Sequence, residues 1–154
     1  MDATLHLPDP DAVLAEGEAL AHSDNLGFRT PLNVAGHPLV ADEPESVGGT
    51  DQGPSPYGLI SAALASCTAM TLHSYARLKS LSVSDIRVFV RHDKVHEADC
   101  AHCGERDRID RLDCVVRIDG DIDEAVRERM MQIAARCPVH RTLDGSVRIV
   151  MHAG

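Results

Sequence analysis

Apolar and polar positions alternate in short runs over the first part of the chain, which indicates β-strands rather than helices. Strand-like runs occupy residues 12–22, 26–34 and 37–41, and the last two are joined at Ala35-Gly36. The next segment, ADEPESVGGTDQGPSP (41–56), is dense in Gly, Pro and acidic residues and is expected to form a loop. The pattern therefore predicts a group of strands followed by a long loop.

A long helix is predicted to follow this loop. Ser55 suits the N-cap position, and Pro56 suits the first helical position. The N–H that proline lacks would have no acceptor within the helix at that position. Arg77 and Lys79 close the far end, where cations complement the helix dipole. Between these ends the segment is apolar on every side, and a helix of that kind is expected to be buried all round.

The second half of the chain predicts two more strands, a helix and a closing strand. DIRVFVRHDKV (85–95) and RLDCVVRID (111–119) alternate apolar with charged residues, as half-buried strands do. A helix over 123–137 is indicated by apolar residues at helical spacing, and SVRIVMH (146–152) is predicted to be the closing strand. The inward-facing positions are predicted to be Ile86, Val88, Val90, Leu112, Cys114, Val116, Ile118, Val126, Met130, Ile133 and Cys137. Without any repeat, this order of elements predicts an α+β fold.

Length and charge narrow the class of protein. The 154 residues suit a single domain, and 15 Lys and Arg against 24 Asp and Glu give a net charge of -9. This balance argues against nucleic-acid or anionic-membrane partners, because no basic patch is available to replace counterions. The longest uncharged run, 52–76, is interrupted by Gly and Pro, and the N-terminus has no signal-peptide pattern. We therefore expect a cytoplasmic protein without a membrane span.

Two of the five cysteines lie in settings that suggest thiol chemistry. Cys67 lies in AALASCTAMTL (62–72), beyond the reach of the dipole at the helix start, and an apolar setting disfavours a thiolate. Cys67 would therefore need a nearby cation in order to react as a thiolate. Cys137 is predicted to end the second helix before Pro138, where the negative helix terminus suits a thiol that is attacked late. These settings favour Cys67 as attacker and Cys137 as resolver; two simply buried cysteines remain the alternative.

The segment HEADCAHCGERD contains a further cysteine pair. Cys100 and Cys103 form a CxxC, with His96 and His102 close by, in the connection between two strands. Zinc prefers four N or S ligands, so this loop could nearly hold a zinc ion, and a redox pair is a second alternative. No second cysteine pair follows at zinc-ribbon spacing, so we favour an exposed loop with idle thiols and expect no cofactor.

The two cysteine segments, GGTDQGPSPYGLISAALASCTAMTLHSYA (48–76) and RCPVHRTL (136–143), resemble the motifs of the OsmC/Ohr family. The preceding GHPLVADEP (36–44) resembles an OsmC-like branch of that family. The resemblance covers roughly residues 27–152 of one domain, 1–154, and leaves 1–26 as an N-terminal extension with a strand. It implies an OsmC-like fold, in which long buried central helices are wrapped by antiparallel sheet in an intertwined homodimer. The active sites would lie at the subunit boundary.

The resemblance also implies a thiol-dependent peroxidase. Cys67 would attack an organic hydroperoxide, and Cys137 would condense with the resulting sulfenic acid to form a disulfide before further oxidation occurs. The family's peroxidase branch uses a dithiol reductant of the lipoyl type, and no cofactor is implied.

The chain departs from the family's pattern at one point. The better-characterised peroxidases carry a glutamate ten residues before the attacking cysteine, where it holds a catalytic arginine. Here that position is Tyr57, followed by Gly58. Arg29 and Arg141 are the candidates for the arginine. Two alternatives to a peroxidase follow: a module that binds metal or a small ligand at the CxxC loop or an apolar dimer pocket, and a redox-inert structural homologue.

Overall fold

The computed structural model describes residues 6–96, 108–145 and 147–152, which belong to two compact units. One unit comprises the chain up to Leu59 together with the part from Arg148 onward, and the other is Ile60–Val147. The strands are β1 (Ala19–Ala21), β2 (Thr30–Val34), β3 (His37–Ala41), β4 (Ser82–His96) and β5 (Arg108–Asp121). The helices are α1 (Pro56–Leu78), α2 (Glu124–Ala134) and α3 (Pro138–Leu143), with a short 3₁₀ turn at Glu45–Val47. The predicted α+β class is confirmed. Among the described residues, no helix is long and apolar enough to cross a membrane.

The first unit contains an antiparallel sheet in the order β1-β2-β3. Ala35 and Gly36 turn the chain between β2 and β3 with φ of 48° and 85°, the left-handed geometry that matches the twist of a tight hairpin. The predicted turn and the bounds of β3 are therefore confirmed. The first strand is shorter than the predicted 12–22, because Gly17 adopts φ 86° and a turn bond joins the Glu18 N–H to the Ala15 carbonyl.

The loop after β3 is organised around a buried carboxylate, Asp42. Its oxygens accept hydrogen bonds from the Glu43 N–H (2.8 Å), the Thr50 N–H (3.2 Å), the Thr50 hydroxyl (2.6 Å) and the Gln52 N–H (3.2 Å). These bonds, the Thr50 hydroxyl above all, hold the pKa of Asp42 below its ordinary value of 3.8. Gly49 lets the loop close, because a Cβ there would collide with the Glu43 carbonyl.

We expect this loop to make stability depend on pH in the acid range. A depressed carboxyl pKa contributes stability above the ordinary value of 3.8, and that contribution is lost as the pH falls through the lower folded-state pKa. Asp42→Asn should lower the melting temperature at pH 7 and remove this contribution to acid sensitivity. Thermal unfolding at pH 2 to 7 measures both effects. Asp51→Asn is the control, since Asp51 is exposed and its φ of 53° suits Asn. Equal behaviour of the two variants would contradict the prediction.

The core of the second unit forms where α1 and α2 cover one face of the β4–β5 hairpin. The strands pair antiparallel, with Ile86 opposite Ile118 and Val90 opposite Cys114. The buried cluster consists of Leu72, Ala76, Ile118, Met130 and Ala134. The opposite face of the hairpin carries exposed ion pairs, Arg87–Asp119, Arg91–Asp113, Arg111–Asp113 and Arg117–Asp119. The predicted alternation of inner apolar and outer charged positions is confirmed for these strands except at Cys114, which is exposed.

Helix α1 has the predicted start, where the Ser55 hydroxyl accepts the Gly58 N–H at 3.2 Å. Its burial differs from the prediction. Within one chain only a stripe at four-residue intervals is buried, whereas other apolar side chains are exposed, Ile60 by 38% and Met70 by 67%. The buried stripe consists of Leu64, Thr68, Leu72 and Ala76. One chain therefore leaves much of the apolar surface of α1 uncovered.

The C-terminal part corrects two sequence predictions. The predicted helix over 123–137 ends at Ala134, and a separate helix, α3, begins at Pro138. The closing strand predicted over 146–152 is wrong for the described residues 147–152, which form no strand. Alternation of side chains is insufficient for a strand, because the backbone also needs a hydrogen-bonding neighbour. The described chain supplies none here.

Two adjacent methionines of α2 allow a matched test of the core. Met130 is fully buried, whereas Met131 is 43% exposed. We expect Met130→Ala to lower the free energy of unfolding by about 2–5 kcal/mol, because it leaves a cavity among packed neighbours. Met131→Ala should change it by roughly 0.5 kcal/mol or less. Urea unfolding measures both values, and equal losses would show that the core is assigned to the wrong face of α2.

Candidate active site

Cys137 lies at the start of a helix rather than at the end of one. It is the N-cap of α3, with Pro138 in the first turn, and its Sγ accepts the His140 N–H at 3.3 Å. The prediction that Cys137 ends the second helix is therefore wrong. The inference that the negative end of that helix acts on the Cys137 thiol is wrong for the same reason. Pro138 explains the difference, since a proline that disfavours continuing one helix is well suited to begin the next. Cys137 is fully buried.

A threonine connects Cys137 to the first cysteine segment. The Thr68 Oγ1 lies 3.4 Å from the Cys137 Sγ, and either atom can act as the donor. Thr68 is itself buried, and it directly follows Cys67 in α1. The structure thus brings together the two segments that the sequence singled out. The sequence reasoning missed Thr68, although a hydroxyl beside the cysteine of an apolar helix was an available signal.

Cys67 is half-buried on α1, and both it and Cys137 are free thiols. Its neighbour in sequence, Ser66, turns its hydroxyl back to the carbonyls of Ala62 and Ala63, 2.8 and 3.2 Å away. The Ser66 hydroxyl is therefore bonded within its own helix. The side chain adjacent to Cys67 that reaches the second cysteine segment is Thr68.

Cys114 corrects a further prediction, because it is exposed rather than part of the core. It shares the inner face of β5 with Val116 and Ile118, but the core cluster and the side chains packed against it reach only as far as Val116 on this strand. Partial burial raises the pKa of the Cys114 thiol, and negative charge at Cys137 raises it further. Cys114 therefore lies within electrostatic range of Cys137.

The two candidate arginines have different settings. Arg29 belongs to the first unit, and its Nε donates to the Gln52 Oε1 at 2.9 Å. Arg141 lies on α3, where its backbone N–H donates to the Cys137 carbonyl at 3.1 Å and its side chain is exposed. In the part of the chain that the structure describes, no arginine donates a hydrogen bond to a cysteine sulfur. The role of either arginine toward Cys67 stays a prediction.

The departure at Tyr57 and Gly58 falls in the first turn of α1. Tyr57 is 41% exposed, and Gly58 is held by the Ser55 hydroxyl. A Cβ at Gly58 would make only ordinary contacts, 3.4 Å from the Pro54 Cβ and the Ser55 Oγ. The backbone here does not require glycine for reasons of space.

The CxxC segment lies outside the described residues. This applies to Cys100, His102 and Cys103, while the backbone of His96 ends β4. Over the ranges 6–96, 108–145 and 147–152, no group of three or more His, Cys, Asp or Glu is arranged to hold a metal ion. The zinc alternative at the CxxC loop therefore stays a prediction.

Two open grooves occur in the second unit, and neither is lined by a cysteine. One, of about 720 Å³, runs between β5 and α2, and the other, of about 370 Å³, runs along α1 beside Met70 and His73. Neither groove is therefore a pocket built around the thiols.

A protein-family model and several solved structures are similar to this chain. A protein-family model described as OsmC-like protein matches residues 49–152. No curated protein sequence matches the chain significantly. One similar solved structure is that of an organic hydroperoxide resistance protein OsmC from Legionella pneumophila, described as a predicted redox protein and regulator of sulfide bond formation. It has a TM-score of 0.62 at 19% identity, over 83% of this chain and 88% of that one.

Two further solved structures are similar. An organic hydroperoxide resistance protein from Elizabethkingia anophelis has a TM-score of 0.63 at 14% identity, covering 82% of this chain and 86% of that one. An OsmC-like protein from Mycoplasma pneumoniae has a TM-score of 0.61 at 19% identity, covering 83% and 85%. At these identities the structures show the fold alone. The family match spans most of the chain and includes both cysteine segments, and the chain therefore belongs to the OsmC-like protein family.

Proposed function

We propose that the protein is a thiol-dependent peroxidase that reduces organic hydroperoxides. The Cys67 thiolate attacks the hydroperoxide, the O–O bond breaks, an alcohol leaves and the sulfur becomes a sulfenic acid. The Cys137 thiol then attacks that sulfur, water leaves and a Cys67–Cys137 disulfide forms. An external dithiol, which we propose to be of the lipoyl type, is oxidised as it returns both cysteines to thiols.

The observation that carries this proposal is the contact between Thr68 and Cys137. It joins α1, at the residue after Cys67, to the start of α3 across a separation of 69 residues. A resolving thiol must lie near the sulfenic acid in order to react before further oxidation. Membership of the OsmC-like family and the similarity in fold to organic hydroperoxide resistance proteins support the same chemistry.

Cys137 is held in a way that suits a waiting thiol. Its sulfur contacts the Thr68 hydroxyl and the His140 N–H, and it is shielded from solvent. A thiol in such a setting is protected from external oxidants and presented to a partner within the protein. The half-buried Cys67 is the more accessible sulfur of the pair, which supports its role as the attacking thiol.

A cation is needed to favour the reactive thiolate at Cys67, and we propose that an arginine supplies it. Arg141 and Arg29 are the candidates, and Arg141 is the one placed on the same short helix that Cys137 begins. Because the glutamate that would hold such an arginine is replaced by Tyr57, we expect slow turnover compared with family members that retain the glutamate. Each cycle also requires a reducing environment, and we therefore propose that the protein acts in the cytoplasm.

We also propose that the active form is a homodimer. One chain leaves apolar side chains of α1 exposed, among them Tyr57, Ile60 and Met70, and a second copy of α1 would cover them. The interface should bury well over about 2,000 Å² in total, as obligate dimers do. Sedimentation at micromolar concentration should therefore give the mass of two chains. A folded monomer under those conditions would contradict the proposal.

The function is tested by measuring how fast the wild-type protein consumes hydroperoxides in the presence of a lipoyl dithiol. We expect consumption that requires both protein and dithiol, and faster reaction with an alkyl hydroperoxide than with hydrogen peroxide. The Ala, Leu and Met residues around Cys67 favour an apolar substituent. Absence of protein-dependent consumption for every hydroperoxide tried would reject the proposed function.

A further inference from the structure

A third thiol, Cys114, lies on the strand along which α2 folds back. The Arg127 guanidinium donates to the Ile118 carbonyl and so aligns the start of α2 with β5. From Ile118 back to Cys114 the strand covers about 13 Å, at roughly 3.3 Å per residue. From Arg127 on to Ala134, α2 covers about 10 Å, at roughly 1.5 Å per residue, and the turn over 135–136 carries the chain on to Cys137. Because α2 and the turn after it run back along β5 by a similar length, Cys137 is expected near the level of Cys114.

The side chain of Cys114 is on the face of β5 that meets α2. Residues two apart on a strand share a face, and Val116 and Ile118 on that face pack in the cluster with Met130 and Ala134 of α2. Cys137 follows Ala134 by three residues, and its N–H donates to the Ala134 carbonyl at 3.2 Å. Negative charge at Cys137 affects Cys114, which agrees with this placement.

We propose that Cys114 is a third redox thiol that exchanges into the Cys67–Cys137 disulfide. The Cys114 thiolate attacks the Cys137 sulfur, a Cys114–Cys137 bond forms, and the Cys67–Cys137 bond breaks. Cys67 leaves as a thiolate and takes up the proton that Cys114 gave up. No electrons are gained or lost overall, because one disulfide replaces another. This inference rests on the proposed function, which supplies the first disulfide.

The exchange would return Cys67 to its reduced form before the external dithiol acts. The attacking thiol would then be available for a second hydroperoxide molecule while the first oxidising equivalent is held between Cys114 and Cys137. Without a reductant, protein that carries Cys100→Ser and Cys103→Ser should therefore consume more hydroperoxide per subunit than the same protein with the further change Cys114→Ser, which retains only Cys67 and Cys137.

The geometry is tested first without any hydroperoxide. In protein that carries Cys100→Ser and Cys103→Ser, the further change Cys67→Ser leaves Cys114 and Cys137 as the two thiols. Treatment with diamide, a thiol oxidant, should then give a Cys114–Cys137 disulfide within one subunit, identified by non-reducing peptide mapping. The matched variant that also carries Cys114→Ser should give no disulfide within a subunit. Failure to link Cys114 to Cys137 under these conditions would overturn the inference.

The exchange itself is tested by time-resolved mapping after an alkyl hydroperoxide is added to protein that carries only Cys100→Ser and Cys103→Ser. We expect the Cys67–Cys137 peptide to appear first and then to be lost as the Cys114–Cys137 peptide grows. A Cys67–Cys137 disulfide that persists unchanged would overturn the exchange and leave the peroxidase proposal standing. Failure to form any Cys67–Cys137 disulfide would overturn the peroxidase proposal, and with it the exchange.

Discussion

Replacement of Cys67 by serine is expected to abolish dithiol-dependent consumption of organic hydroperoxides, with a loss of about 10³-fold or more. A serine hydroxyl is not ionised near neutral pH, so the group that attacks the peroxide oxygen is missing. The measurement is the initial rate of alkyl hydroperoxide loss with a lipoyl dithiol as reductant.

The control for this variant is the double change Cys100→Ser and Cys103→Ser. These residues belong to the CxxC segment, to which the proposal gives no role in turnover, and the double variant should keep the wild-type rate. Thermal unfolding of all three proteins shows whether the fold is intact. Full activity of Cys67→Ser, or loss of activity in the double variant alone, would indicate that the CxxC segment carries out the reaction instead of Cys67.

Replacement of Cys137 by serine is expected to leave one oxidation event and stop sustained turnover. Cys67 can still react with a hydroperoxide, but no thiol at position 137 intercepts the sulfenic acid, which then proceeds to sulfinic acid. Serine can keep the hydrogen bonds to Thr68 and the His140 N–H, so the start of α3 should be preserved. Mass spectrometry of the Cys67 peptide, with the turnover rate, measures both effects.

The matched control for Cys137→Ser is Thr68→Val, which removes the hydroxyl that contacts the Cys137 sulfur and retains the thiol itself. This variant should still form the disulfide, because the resolving thiol is present. Sustained turnover by Cys137→Ser, without accumulation of sulfinic acid at Cys67, would show that another thiol resolves the intermediate.

Local sequence signals predicted much of the fold because they act over a few residues. Ser55 and Pro56 mark the start of α1, and Ala35-Gly36 marks a hairpin turn whose left-handed backbone is confirmed. The alternation along 85–95 and 111–119 likewise predicted the paired strands β4 and β5. The arrangement of the whole chain as a single domain stays a prediction.

Features that depend on distant parts of the chain were not predictable in this way. The helical spacing up to Cys137 could not reveal that α2 ends at Ala134, because Pro138 is compatible both with a helix end and with a new helix. The exposure of Cys114 depends on how far α1 and α2 cover the hairpin. The contact between Thr68 and Cys137 joins residues that only the folded chain brings together.

The burial of Asp42 is a further feature that was not predicted from the sequence. The acidic, glycine-rich segment over 41–56 was predicted to be a loop, and most of it is one. Its composition did not distinguish Asp42, which is buried and accepts four hydrogen bonds, from the exposed Asp51 of the same loop. Burial of a carboxylate in a loop depends on backbone N–H groups that converge only after folding.

We propose above all that Cys67 and Cys137 form the redox pair. This pairing is tested most directly by peptide mapping under non-reducing conditions, in wild-type protein quenched soon after one equivalent of an alkyl hydroperoxide is added. We expect a disulfide between Cys67 and Cys137 within one subunit as the first product. If Cys67 stays a free thiol while Cys100 or Cys103 is oxidised instead, Cys67 and Cys137 are not the redox pair.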